Sequence, residues 1–248
     1  MEYRRLPLEG LTNARELGGW NTPDGGQTRH RVYLRTEVPN RVTEKDKQFL
    51  RDYGVVMDID LRGSSELEDL PDLLRDEPWL EYVHLPMFDE HASAGSRGGD
   101  LGDLGENKTF SWGPQYVRMV EKYRPWVKDV LEAIARAKGA VMFHCATGKD
   151  RTGIVSAILL SLCDVDCADI VEDYSVSEIH LDWIYTRTRE KMTEERKISS
   201  APFFSTAPDN MRTLLRHWEE NYGGVRGYLR SCGVTEECMD TLRARLLG

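Results

Sequence analysis

The chain has 248 residues, 40% hydrophobic and 30% charged, with 33 Lys and Arg against 42 Asp and Glu for a net charge of -9. Apolar content near the globular norm argues against a dominantly disordered chain, and no apolar run approaches the about 20 residues of a membrane-spanning helix. The acidic balance argues against broad nucleic-acid or anionic-membrane binding, because Lys and Arg supply the sequence-independent part of that affinity.

Five cysteines, Cys145, Cys163, Cys167, Cys232 and Cys238, are an odd number without framework spacing, and the N-terminus MEYRRLPLEG has no apolar run. Both point to reduced thiols in a cytoplasmic protein without a signal peptide, with export by a signal-independent route left open. Cys163 and Cys167 have no second pair at metal-ligand spacing, so a zinc site is not expected there.

In chain order, Asp24-Gly25-Gly26 is a turn between Trp20 and the run Arg31–Arg35, which predicts an antiparallel hairpin. Thr43 opens a helix with Asp46 in its first turn and Gly54 at its end. Val55 to Leu61 follows as a largely buried strand and Tyr82 to Leu85 as a shorter one. Residues 90–113 are glycine-rich, with five glycines between Ala94 and Gly105, and predict a mobile loop or lid insertion. From Pro114, apolar residues at helical spacing predict two helices, with Pro125 in the first turn of the second. Ala140 to Phe143 reads as a buried strand and Ile154 to Leu162 as an apolar helix; residues 165–248 are mainly helical, with Trp183 and Trp218 expected in the core. A helix-to-strand alternation of this kind predicts an α/β fold, a single domain over residues 1–248 with a central mixed sheet flanked by helices.

Between that buried strand and the apolar helix lies His144-Cys145-Ala146-Thr147-Gly148-Lys149-Asp150-Arg151-Thr152-Gly153. A strand end, a tight loop and a helix N-terminus make an anion nest of inward amides reinforced by the helix dipole. Gly148 allows a backbone conformation denied to other residues, and Arg151 offers a planar fork for two phosphoryl oxygens. Cys145 starts the cradle, where a thiol of ordinary pKa about 8.5 is drawn toward thiolate, a nucleophile aimed at phosphorus. Nucleotide-binding loops do not fit, since Lys149 is followed by Asp150 and no G-x-G-x-x-G follows a strand. Four residue types at fixed offsets recur by chance in about one chain per few thousand, so a packed cysteine beside an ordinary turn is the weaker reading.

H-C-x-x-G-K-D-R-T-G resembles the signature of cysteine-dependent protein tyrosine phosphatases, most closely the bacterial branch with the loop C-x-x-G-K-D-R. Asn13 to Gly19, Leu34-Arg35-Thr36, and Asp60-Leu61-Arg62 with Glu66 are similar to that branch's N-FRD-GG, Y-R-S and D-L-R-S-x-x-E blocks. Ala14, Glu16 and Thr36 depart from its usual Phe, Asp and Ser. Tyr228 to Val234 extends the likeness to the C-terminal part of the chain.

The resemblance implies hydrolysis of phosphotyrosine through a cysteinyl-phosphate, with no cofactor and no metal, on phosphotyrosine proteins or, as runner-up, phosphoinositides within a dual- or triple-specificity range. An inactive phosphate-binding module is the alternative of another class. It implies Cys145 as nucleophile and Arg151, with the amides of Ala146, Thr147, Gly148, Lys149 and Asp150, as the cradle for a phosphate ion. Thr152 would donate to the Cys145 sulfur, and Asp89, ahead of the glycine-rich loop, would be the general acid. Glu90, Asp100, Asp103 and Asp150 are its rivals. His144 reads as a structural hydrogen-bonder fixing the loop, and Asp60 with Arg62 as a structural ion pair. Lys149 is a second cation for a polyphosphorylated headgroup, a partner that steers Asp150, or a solvent-facing lysine.

Overall fold

The computed structural model describes residues 4–88 and 110–248. The chain opens with β1 (Arg15–Glu16) and β2 (Tyr33–Thr36), followed by α1 (Glu44–Tyr53), β3 (Val55–Asp60), α2 (Ser64–Asp69) and β4 (Glu81–His84). Two consecutive helices, α3 (Trp112–Lys122) and α4 (Arg124–Arg136), lead to β5 (Ala140–His144) and then α5 (Asp150–Leu162). Six further helices complete the chain: α6 (Cys167–Ser175), α7 (Ser177–Glu190), α8 (Glu194–Phe204), α9 (Pro208–Tyr222), α10 (Val225–Ser231) and α11 (Glu236–Leu247).

The five strands form one mixed sheet in the order β1-β2-β5-β3-β4. β5 runs at its centre, parallel to both β2 and β3, and only the β1–β2 pair is antiparallel. A central parallel strand is covered on both sides, and β5 is buried throughout. Val141 and Phe143 enter the large core with the residues of α3 to α6, whereas Ala140 and Met142 enter a smaller cluster with Leu11, Leu34 and Leu50.

The local signals act as expected at several ends. Thr43 and Asp46 form a reciprocal capping box on α1, and Gly54 closes that helix in the left-handed region at φ 95°. Pro125 sits in the first turn of α4. The hairpin exists but is longer than its turn suggests. Its ladder runs from Arg15 opposite Arg35 to Thr22 opposite Gly26, and it is broken near Arg31, which takes φ 65°.

Two expectations change. Helix α3 begins at Trp112, inside the stretch read as an insertion, because Trp112 stacks on Tyr116 and packs against Phe110 and Phe203; residues 89–109 of that stretch lie outside the described residues. Trp218 is buried, but Trp183 is only half-buried, its indole donating to Thr12 Oγ1 at 3.0 Å beneath the guanidinium of Arg41. Among the described residues, no helix is long and apolar enough to cross a membrane.

Candidate active site

Cys145 follows the last residue of β5, and the chain turns through Lys149 before α5 begins at Asp150. The turn has one steric requirement. Gly148 takes φ +69°, and a β-carbon there would lie 2.2 Å from Thr36 O, so the loop can press against the end of β2 only with glycine.

The loop's carbonyls are drawn outward by the rest of the protein. Val38 N donates to Ala146 O at 3.2 Å, Asn13 Nδ2 to Thr147 O at 2.9 Å, and Arg35 Nη2 to Gly148 O at 2.7 Å. Gly153 N takes Lys149 O at 2.9 Å. The amides of Ala146, Thr147, Gly148 and Lys149 donate to none of the described residues. Unpaired amides converging at a helix N-terminus form an anion nest.

Arg151 is held as a fork at the edge of this nest. Its Nη1 and Nη2 donate to Glu66 Oε2 and Oε1 at 2.6 and 2.8 Å, and Nη1 also reaches Leu61 O at 3.2 Å. Glu66 is itself fixed by the amide of Gly63 at 2.9 Å. Burial alone would raise the Glu66 carboxyl, but Arg151 outweighs it and holds the group below its usual range. The ring of Phe88 lies 5.4 Å from the Arg151 guanidinium carbon.

Cys145 is 2% exposed. Burial pushes its thiol up, but the guanidinium of Arg151 and the hydroxyl and amide of Thr152 more than offset this, so the net shift is downward. The Thr152 hydroxyl is buried and makes no hydrogen bond to any described residue, so no other acceptor among them holds its proton. In the other buried thiol, Cys163, burial outweighs the guanidinium of Arg243 and pushes it up to about 12. Of these two thiols, only Cys145 sits where a thiolate is stabilised.

Asp150, in the first turn of α5, accepts from Tyr116 Oη at 2.5 Å, and Tyr116 in turn meets Tyr174 Oη at 2.7 Å. Lys149 is not solvent-facing. Its side chain is 2% exposed, Nζ donates to Phe203 O at 2.5 Å and lies 3.6 Å from Asp150 Oδ1, so the ammonium ties α8 to the loop instead of projecting into solvent. Tyr185, on α7, is buried with its hydroxyl unpartnered among the described residues.

His144 is fully buried, its Nδ1 3.2 Å from Cys145 O and its Nε2 2.9 Å from Asp72 Oδ2, a structural hydrogen-bonder as expected. Asp60 and Arg62 form the expected ion pair at 2.6 Å, both fully buried. The four acidic residues read as the general acid and its nearest rivals, Asp89, Glu90, Asp100 and Asp103, lie outside the described residues. Sequence reasoning assigned no role to Glu66, Asn13, Arg35 or Tyr116. The first three stand in the blocks that carried the resemblance, which was the available signal.

The chain is 32% identical to a tyrosine-protein phosphatase of Nostoc commune, over 87% of this chain and 74% of that protein. It is 26% identical to the triple specificity protein phosphatase PtpB of Mycobacterium tuberculosis, over 94% of this chain and 99% of that one. The crystal structure of P. aeruginosa TpbA aligns over 86% of this chain and 84% of its own at 16% identity, with a TM-score of 0.37. The profile described as "Tyrosine phosphatase family" matches residues 6–248, nearly the whole chain, and the protein belongs to that family.

Proposed function

We propose that the protein hydrolyses phosphotyrosine by a covalent mechanism centred on Cys145. The observation that carries this reading is the loop itself, with carbonyls drawn outward, amides that donate to none of the described residues, and Cys145 and Arg151 at its two ends.

In the first step the Cys145 thiolate attacks phosphorus, an S–P bond forms, and the P–O bond to the phenolic oxygen breaks. Asp89 gives its proton to the departing tyrosinate. Arg151 and the amides of Ala146 to Asp150 hold the phosphoryl oxygens, which is electrostatic stabilisation of a charge-rich transition state. In the second step water attacks phosphorus and Asp89 takes its proton. The S–P bond then breaks, with the Thr152 hydroxyl stabilising the leaving thiolate, and phosphate departs. Phe88, directly before Asp89 in sequence, packs over Arg151, which supports Asp89 over its later rivals. Asp150 is the nearer rival, but its carboxylate already accepts from Tyr116.

The active unit in this reading is the single domain of residues 1–248, working in the cytoplasm on phosphoproteins, with the net charge of -9 arguing against nucleic acid as a partner. Phosphoinositides, within a triple-specificity range, are the second reading; the likeness to PtpB, named a triple specificity protein phosphatase, spans 94% of this chain and supports a specificity wider than phosphotyrosine. Against it, Lys149 is engaged by Phe203 O and is not a free second cation.

Purified protein should hydrolyse an aryl phosphate without added metal. Cys145→Ser should abolish turnover while still binding phosphate; full activity in that variant would remove the covalent mechanism. Parallel assays of a phosphotyrosine peptide and a phosphoinositide should favour the peptide, and equal rates would overturn the tyrosine preference.

A further inference from the structure

Beneath the nucleophile loop, His144 stands between two carboxylates. Its Nε2 is 2.9 Å from Asp72 Oδ2 and 3.5 Å from Asp58 Oδ1, and all three side chains are at most 1% exposed. One donor atom from each lies within 4.8 Å of the other two.

Asp58 is the anomaly. Neither of its oxygens makes a hydrogen bond to a described residue, and the proton on His144 Nε2 points to the closer Asp72. A buried carboxylate left this way is costly. Its neighbour Asp60 shows the contrast, since Asp60 accepts from the Arg62 side chain and amide and from Tyr82 Oη.

The two spacings about His144 Nε2 fit a metal centre. Donors about 2.0–2.1 Å from a tetrahedral ion stand about 3.3 Å apart, and the two distances from Nε2 bracket that value. The surrounding contacts fit as well. His144 Nδ1 faces Cys145 O at 3.2 Å, the partner that a metal-bound imidazole commonly takes. Asp72 Oδ1 accepts from Leu74 N at 2.8 Å, which turns Oδ2 toward the centre. Once an ion displaces the Nε2 proton, the imidazole is neutral, and the carboxylates of Asp58, Asp60 and Asp72 against one Arg62 leave a formal charge of minus two for the cation to offset.

We propose that Asp58, Asp72 and His144 bind a divalent first-row cation of the zinc class, with the second oxygen of Asp58 available as a fourth donor. The ion would brace the strand behind the nucleophile. Its three ligands do not include the Cys145 sulfur, and the phosphoryl chemistry proposed above runs without it, so the two readings fail separately.

The probe is cobalt, titrated into chelator-stripped Cys145→Ser protein, which lacks the most reactive thiolate. Visible d–d bands should saturate at one ion per chain without a sulfur-to-cobalt charge-transfer band. In Asp58→Asn, checked for folding by circular dichroism, affinity should fall by more than the about 10–100-fold expected for loss of an outer partner. Should that variant not fold, Asp72→Asn, altered in the loop before β4, gives the same test. Cobalt should also raise the unfolding temperature of the Cys145→Ser protein and not that of either Asn variant. Absence of the bands, a sulfur charge-transfer band, or binding undiminished in the folded Asn variants would overturn the site and leave protons as what neutralises the cluster.

Discussion

At the scale of single residues, the chemistry turns on whether Arg151 and Thr152 overcome the burial of Cys145. Alkylation of Cys145 by iodoacetamide should therefore show a midpoint below the about 8.5 of a free thiol. Thr152→Val should move that midpoint up, and an unchanged midpoint would remove the hydroxyl from the account. Glu66 holds both ends of the Arg151 fork. Glu66→Gln should lower kcat/KM by between about tenfold and a hundredfold, the order of loss for a displaced catalytic group, while circular dichroism stays unchanged. The placing of Cys145 and Arg151 on one loop was legible because a strand end, a tight turn and a helix start lie within a few residues of sequence. Glu66 was not, since it meets Arg151 from 85 residues away, and no local pattern encodes such a contact.

At the scale of elements, the loop is shaped by what lies behind it. Gly148→Ala would drive a β-carbon into Thr36 O at 2.2 Å in a left-handed conformation. The substitution should cost about 1–3 kcal/mol in strain alone and weaken phosphate binding together with the unfolding temperature. Retention of both would mean that the loop does not need this conformation. The capped helix α1, the proline-started α4 and the central β5 were all readable, because capping, proline geometry and continuous apolar runs act locally. The environment of Lys149 was not readable. Whether a loop lysine meets solvent or a helix depends on where α8 packs, and the sequence around Lys149 contains nothing of α8.

At the scale of the whole molecule, a chain of net charge -9 ties the anion nest to helix α6 through buried arginines. Asp173 on α6 pairs with both Arg15 and Arg35, and Arg35 also donates to Gly148 O. Burial raises the Asp173 carboxyl, but the two arginines outweigh it and the net shift is downward. A depressed carboxyl contributes stability that is present above its unfolded pKa of about 3.9 and is lost as pH falls through the folded value. In urea unfolding, Asp173→Asn should lose about 3–5 kcal/mol near neutrality, with the gap to the parent protein narrowing below about pH 4; a constant gap at every pH would exclude this linkage. The mixed sheet and its helical flanks were legible from the alternation of elements, yet the strand order was not, since parallel neighbours are joined by crossovers and not by adjacent sequence. The central claim, a phosphoryl group carried on the Cys145 sulfur, is tested most directly by acid-quenching the enzyme during turnover of an aryl phosphate and sequencing its peptides by mass spectrometry. One phosphate on the peptide containing Cys145, missing in Cys145→Ser, is the result expected; turnover with no adduct there, or with the phosphate on another residue, would contradict it.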